Sequence, residues 1–130
     1  MTQNEIQEIR LITALGEVRG LEGATHREFR GVPFAPAGRV EYATLAEEWA
    51  GTLDATAFGP ACPQNRAVHE HLENPVRRFY KRECREGQTF TYGEDCLNLN
   101  IYTPLSSQKA PVLLFFYGGG FDSGINYEST

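Results

Sequence analysis

Apolar residues in this chain occur in short runs, and the clearest run is Val-Leu-Leu-Phe-Phe at residues 112–116. A short run without a polar face favours a strand that is buried on both sides of a sheet over a helix. After Tyr117 the run continues into Gly118, Gly119 and Gly120. Glycine adopts positive φ easily and leaves its N–H groups uncovered, so this junction predicts either a turn or a site for an anion.

The N-terminal part of the chain has a different pattern. Residues 9–12, 16–20 and 27–32 are short, partly alternating segments that glycines separate. Such segments predict a small antiparallel meander, with turns at residues 15–16 and 22–23.

Two further patterns lie between the meander and the apolar run. Leu97, Leu99 and Ile101 alternate with more polar residues, which predicts a strand that Pro104 ends. In the polar stretch 65–86, apolar residues recur at helical spacing and predict a helix that a proline interrupts: Val68, Leu72, Pro75, Val76 and Phe79.

Composition and charge narrow the class of protein. The chain has 130 residues, of which 41% are hydrophobic and 22% charged, as in an ordinary soluble domain. A net charge of −5 argues against a nucleic-acid partner, because phosphate binding needs a basic surface. No apolar run is long enough to cross a bilayer, and the N-terminus shows no signal-peptide pattern. We therefore expect a cytoplasmic protein without a nucleic-acid or membrane partner.

Metal binding has little support in the sequence. His69 and His71 lie in the same polar stretch as Cys84. They lack the paired Cys or His spacing that is typical of metal sites. We expect no metal ion and no other cofactor.

Four motifs together carry a family resemblance. They are Phe-Arg-Gly-Val-Pro-Phe-Ala at 29–35, a loop ending in Ala-Cys-Pro-Gln at 54–64, Glu-Asp-Cys-Leu-Asn-Leu-Asn-Ile-Tyr-Thr-Pro at 94–104, and Tyr-Gly-Gly-Gly-Phe at 117–121. Their order and spacing resemble the N-terminal part of the type-B carboxylesterase/cholinesterase family. The resemblance implies an α/β class, the α/β-hydrolase fold. Residues 1–130 would form only its N-terminal portion, a small antiparallel β-meander followed by the first strands of the central sheet, truncated before the nucleophile elbow.

The resemblance also implies roles for particular residues. Backbone N–H groups of Gly119 and Gly120 would form an oxyanion hole, and Tyr117, Gly118 and Phe121 would contact the substrate. A disulfide that is frequent in the family would join Cys62 to Cys96. A reducing cytosol would instead keep both cysteines as thiols, and the sequence leaves these two states open.

The implied function is that of the N-terminal portion of a serine carboxylesterase. Such an enzyme hydrolyses small-molecule carboxylic esters through an acyl-enzyme. The chain contains no G-x-S-x-G elbow, so it would contribute the oxyanion hole but not the catalytic triad. We expect the 130 residues alone to be inactive. The alternatives are a non-catalytic, cholinesterase-like adhesion or binding protein and an inactive truncated gene product. No feature of the sequence specifies the oligomeric state.

Overall fold

A computed structural model describes residues 6–64, 75, 90–106, 109–120 and 123–127 of the chain. Apart from Pro75, the helix predicted within residues 65–86 lies outside these ranges. So do three residues considered above as metal ligands: His69, His71 and Cys84. No helix in the described ranges is long and apolar enough to span a bilayer.

The described strands form one five-stranded sheet, which we call the meander sheet. Its strands are β1 (Gln7–Thr13), β2 (Gly16–Glu22), β3 (His26–Pro33), β4 (Thr52–Asp54) and β5 (Asn98–Pro104). The hairpins β1–β2 and β2–β3 are antiparallel, as the alternating segments and their glycines predict. The predicted meander is therefore confirmed.

Strand β2 shares one of its edges between two partners. Its C-terminal end pairs with β3, and its N-terminal part pairs in parallel with β4. The two pairings separate at Gly20, where a side-chain Cβ would collide with the ring of Phe29. Gly20 thus lets Phe29 lie against β2, and the short β4 fills the edge that β3 leaves.

The strand predicted from the alternation of Leu97, Leu99 and Ile101 is confirmed as β5, which pairs with β3 in antiparallel register. The register shifts between Phe29 and Val32, as at a β-bulge. Here Gly31 has a φ of 64°, and its N–H donates to the side-chain oxygen of Asn100 at 2.9 Å. The Arg30 N–H donates instead to the carbonyl oxygen of Ala55 at 2.8 Å. The bulge therefore ties β3 to both β5 and the loop after β4.

The core of the meander sheet is small. Val18, Phe29 and Ala55 are buried at its centre. Partly buried apolar side chains pack around them: Ile9, Val32, Trp49 and Leu53. The indole Nε1–H of Trp49 also donates to the Glu17 carbonyl oxygen at 2.7 Å, which attaches the loop after β3 to β2.

The structure of residues 112–116, which we call the apolar segment, differs from the prediction. It has no regular secondary structure, and its side chains are between 67 and 92% exposed. The prediction of a strand buried on both faces is therefore wrong for this chain. A strand needs a neighbour to pair with its backbone, and burial needs covering layers. Within the described ranges no strand lies beside the segment.

Candidate functional site

A cavity of about 540 Å³ lies between the loop after β4 and the glycine-rich loop near the end of the chain. It brings together segments that are far apart in the sequence. Its lining consists of Cys62, Pro63, Gln64, Tyr117, Gly118, Gly119, Gly120, Ser123 and Gly124. None of these residues carries a charged side chain.

The glycine turn, which we define as residues 118–120 and 123–124, requires glycine at particular positions. Gly119, Gly120 and Gly124 have φ values of 143°, 64° and 140°, which L side chains rarely adopt. A Cβ on Gly119 would also overlap the carbonyl oxygen of Ser123. The Ser123 N–H donates to the Gly119 carbonyl oxygen at 3.1 Å and closes the turn.

The turn leaves two adjacent backbone donors available. Gly119 and Gly120 are exposed, and their N–H groups donate to no acceptor among the described residues. Neighbouring N–H groups on bare glycine backbone form a concave surface that suits an anion. The turn therefore offers backbone donors to an oxygen acceptor, and no charged side chain lines the cavity beside them.

The opposite wall is formed by residues 62–64, and a disulfide anchors it. The structure joins Cys62 to Cys96 with Cα atoms 4.9 Å apart. Cys96 lies two positions before the start of β5, so the bond attaches this wall to the meander sheet. Beyond it, the side-chain amide of Gln64 hydrogen-bonds to the backbone of Gly124 across the cavity.

The structure places most of the predicted site residues together. Tyr117, Gly118, Gly119 and Gly120 all line the cavity. Phe121 lies outside the described residues. The sequence analysis included Gln64 as the last residue of the motif at 54–64 but gave its side chain no role, because no spacing pattern connects it to a partner 60 positions away.

The clear pKa shifts of acidic groups lie in the meander sheet rather than in the cavity. A hydrogen bond from Arg19, 2.6 Å away, lowers the pKa of Asp54 from 3.8 to about 2. Burial tends to raise the pKa of Glu28, but the hydrogen bonds and positive charges of Arg30 and His26 together outweigh burial, and the pKa is lowered. These shifts report ion pairs within the sheet. Among the described residues no group of three or more His, Cys, Asp or Glu could hold a metal ion.

Comparison with known proteins assigns the family. Residues 7–129 match the sequence profile of the Carboxylesterase family, and the chain belongs to that family. It is 32% identical over 136 aligned positions to the precursor of a medium-chain fatty acyl-CoA hydrolase of Anas platyrhynchos, covering 95% of this chain and 24% of that protein. It is 36% identical to the acetylcholinesterase of Bungarus fasciatus, covering 90% of this chain and 20% of that protein.

Solved structures agree with this assignment. An esterase from Clostridium hathewayi that can hydrolyse aliphatic aromatic polyesters matches with a TM-score of 0.72 and 26% identity, over 96% of this chain and 25% of that one. A thermophilic PNB esterase matches with a TM-score of 0.68 and 30% identity, over 92% of this chain and 23% of that one. The chain thus has the N-terminal portion of the esterase fold, an α/β-hydrolase, and spans about a fifth to a quarter of its relatives' length.

Proposed function

We propose that this chain is the N-terminal part of a serine carboxylesterase and that Gly119 and Gly120 form its oxyanion hole. The substrates are small-molecule carboxylic esters. One observation carries the proposal: two adjacent glycine N–H groups on a cavity wall have no acceptor among the described residues. Membership of the Carboxylesterase family supports it.

The chemistry of ester hydrolysis explains why such donors matter. Attack of a serine oxygen on the ester carbonyl carbon moves an electron pair onto the carbonyl oxygen, which becomes negative. Fixed N–H groups bind this oxyanion more strongly than the neutral carbonyl of the substrate, and that difference lowers the barrier. Collapse of the intermediate expels the alcohol and leaves an acyl-enzyme, which water then hydrolyses.

The nucleophile is expected outside the described residues. Ser123 lines the cavity, but no histidine lies beside it there. His26, the histidine within the described ranges, belongs to β3 and contacts the side chains of Thr25 and Glu28. We therefore propose that the serine, its acidic partner and its histidine follow in the reading frame after Thr130, with the serine on a G-x-S-x-G elbow.

The test is to read the source gene past the codon for Thr130 and to assay the full-length product on p-nitrophenyl acetate. We expect a G-x-S-x-G elbow and ester hydrolysis. Gly119→Ala keeps the backbone N–H but should displace it, because a Cβ would overlap the Ser123 carbonyl oxygen. We expect kcat to fall by about 100- to 1000-fold, as when one oxyanion donor is lost. Gly23→Ala is the matched control, because Gly23 lies in the β2–β3 turn and a Cβ there meets no atom closer than 3.7 Å.

Two outcomes would contradict the proposal. A reading frame without the elbow would make the chain an inactive truncated product or a non-catalytic member of its family. If the enzyme is active and Gly119→Ala and Gly23→Ala have equal effects on kcat, the glycine turn is not the oxyanion hole.

A further inference from the structure

We propose that Gln64 is a positioning residue for the glycine turn. Its side-chain amide fixes the backbone of Gly124 and thereby sets the orientation of the Gly119 and Gly120 N–H groups. This inference rests on the proposed function of those two glycines. It assigns a role to a residue on the opposite wall of the cavity, outside the glycine motif.

The contact between Gln64 and Gly124 is reciprocal. The Gly124 N–H donates to Gln64 Oε1 at 3.0 Å, and Gln64 Nε2 donates to the Gly124 carbonyl oxygen at 3.1 Å. The amide thus pairs with both backbone groups of one residue, as a neighbouring strand does in a sheet. Gly124 is buried, so losing these bonds would leave its donor and acceptor unsatisfied, which is unfavourable.

Close packing transmits the position of Gly124 to the start of the turn. A Cβ built on Gly124 would lie 2.5 Å from the carbonyl oxygen of Gly118 and 2.5 Å from ring atom Cδ2 of Tyr117. The preceding residue, Ser123, hydrogen-bonds to Gly119. A shift of Gly124 therefore displaces the residues that carry the two donors.

A neutral amide suits this task. Gln64 Nε2 also donates to the Cys62 carbonyl oxygen at 3.1 Å, so both of its N–H bonds have partners. It adds no negative charge to a cavity in which an oxyanion would form. Among the described lining residues no side chain is charged, and Tyr117 carries the titratable side chain of this set.

A separate set of amides holds the chain just beyond Gly124. Asn126 Nδ2 donates to the Asn98 backbone oxygen at 2.9 Å and to the Asn98 side-chain oxygen at 3.0 Å. The Asn126 carbonyl oxygen accepts from Asn100 Nδ2 at 3.2 Å. These bonds attach the end of the turn to β5. A substitution of Gln64 is therefore expected to loosen the turn locally rather than to unfold the chain.

Kinetics of the full-length gene product test the role. Gln64→Met keeps the length of the side chain and removes both hydrogen bonds to Gly124. We expect kcat on p-nitrophenyl acetate to fall about 10- to 100-fold, as for small misplacements of catalytic groups, with KM changed less than about twofold. Gln7→Met is the matched control, because Gln7 is exposed on β1.

Gln64→Glu provides a readout that a merely structural role would not change. Its carboxylate would face the carbonyl oxygens of Gly124 and Cys62, whereas a protonated carboxyl can again donate to one of them. The ratio of variant to parent kcat should therefore rise as pH falls from about 8 towards 5, and using the ratio cancels the titration of shared catalytic groups. A ratio independent of pH, or a loss confined to KM, would overturn the proposal.

Hydrogen exchange tests the contact between Gln64 and Gly124 independently of any esterase activity. Gln64→Met should speed exchange of the Gly124 amide by about 10-fold, the effect of losing a hydrogen bond of ordinary strength, while Gln7→Met should leave it unchanged. If the parent hydrolyses no ester, the proposed function fails, whereas exchange still reports the contact. If exchange at Gly124 is the same in all three proteins, the positioning role of Gln64 is wrong.

Discussion

The meander sheet and the apolar segment are both rich in apolar residues, yet only the sheet buries them. Phe29 in β3 is 4% exposed, whereas Phe116 in the apolar segment is 81% exposed. Strand β3 pairs with β2 and β5 and packs on Val18 and Ala55. Within the described ranges, the apolar segment has neither a paired strand nor a covering layer.

The difference shows that apolar content by itself does not make a strand. The meander sheet forms because its hairpins place pairing partners a few residues apart, at a small cost in chain entropy. The apolar segment would need partners from elements that lie beside it. Relatives that match this chain are four to five times as long, since it covers 20 to 24% of them. We therefore expect the two regions to respond differently to the same substitution.

The largest expected contrast is between two phenylalanines. Phe29→Ala should lower the free energy of unfolding of the 130-residue chain by about 3–5 kcal/mol, because it leaves a cavity in the core. Phe116→Ala should change it by less than about 0.5 kcal/mol, as at other exposed sites. Urea titration followed by circular dichroism measures both. Equal losses would mean that the apolar segment is buried. In a longer gene product that covers the segment, the Phe116→Ala cost should approach that of Phe29→Ala.

The next effect concerns the disulfide that links the cavity wall to the meander sheet. Replacing Cys62 and Cys96 together by Ala should destabilise the chain by about 3–4 kcal/mol in the loop-entropy account. The same urea titration, with and without reductant, measures this loss. Stability that is insensitive to both would show that the bond constrains little.

The redox state of this bond in cells is a separate question. An intact disulfide and the expected cytoplasmic location predict different states for Cys62, because the cytosol keeps thiols reduced. A thiol count on the protein isolated from its own cells decides between them.

A smaller difference in stability is expected between alanine variants of Gly31 and Gly120, which share a φ of 64°. Alanine at either Gly31 or Gly120 should cost about 1–2 kcal/mol from the left-handed backbone alone. At Gly31 a Cβ would also lie 2.6 Å from the Gly59 backbone nitrogen, whereas at Gly120 no atom lies within 4 Å. Gly31→Ala should therefore destabilise the chain more than Gly120→Ala. The reverse order would contradict the packing described for the β3 bulge.

The smallest effect is a pH dependence within the meander sheet. Arg19 holds the pKa of Asp54 at about 2, below its ordinary value of 3.8. Because the folded-state pKa is lowered, the pair stabilises the fold above about pH 4 and this contribution is lost as pH falls towards 2. The carbon-13 chemical shift of the Asp54 carboxyl should titrate with a midpoint near pH 2. In Arg19→Met this midpoint should move to a higher pH. A midpoint unchanged by Arg19→Met would show that the pair does not form in solution.

Local patterns were enough to predict most of the meander sheet. Alternating residues and separating glycines identified β1, β2 and β3, whose hairpin partners are close in sequence, and alternation alone identified β5. They did not identify β4, which is only Thr52–Asp54 and pairs in parallel with a strand far back in the chain. A segment this short has no periodicity to detect.

Part of the candidate site was likewise predictable from the sequence, and part was not. The resemblance of the run from Tyr117 to Gly120 to a family motif predicted that these residues belong to the site, and they line one wall of the cavity. Its amide partner, Gln64, lies 60 positions from Gly124, and no spacing pattern connects them. Only the folded chain brings these groups together.

By itself, the sequence determined the locally paired strands, the glycine turn and the membership of an esterase family, because each depends on residues that are close together or on ordered motifs. The tertiary structure decided that the apolar segment lies exposed, that β4 completes the edge of β2, and that Gln64 meets Gly124. Burial and long-range pairing depend on which other segments arrive beside a residue, and that is a property of the whole fold rather than of any stretch of chain.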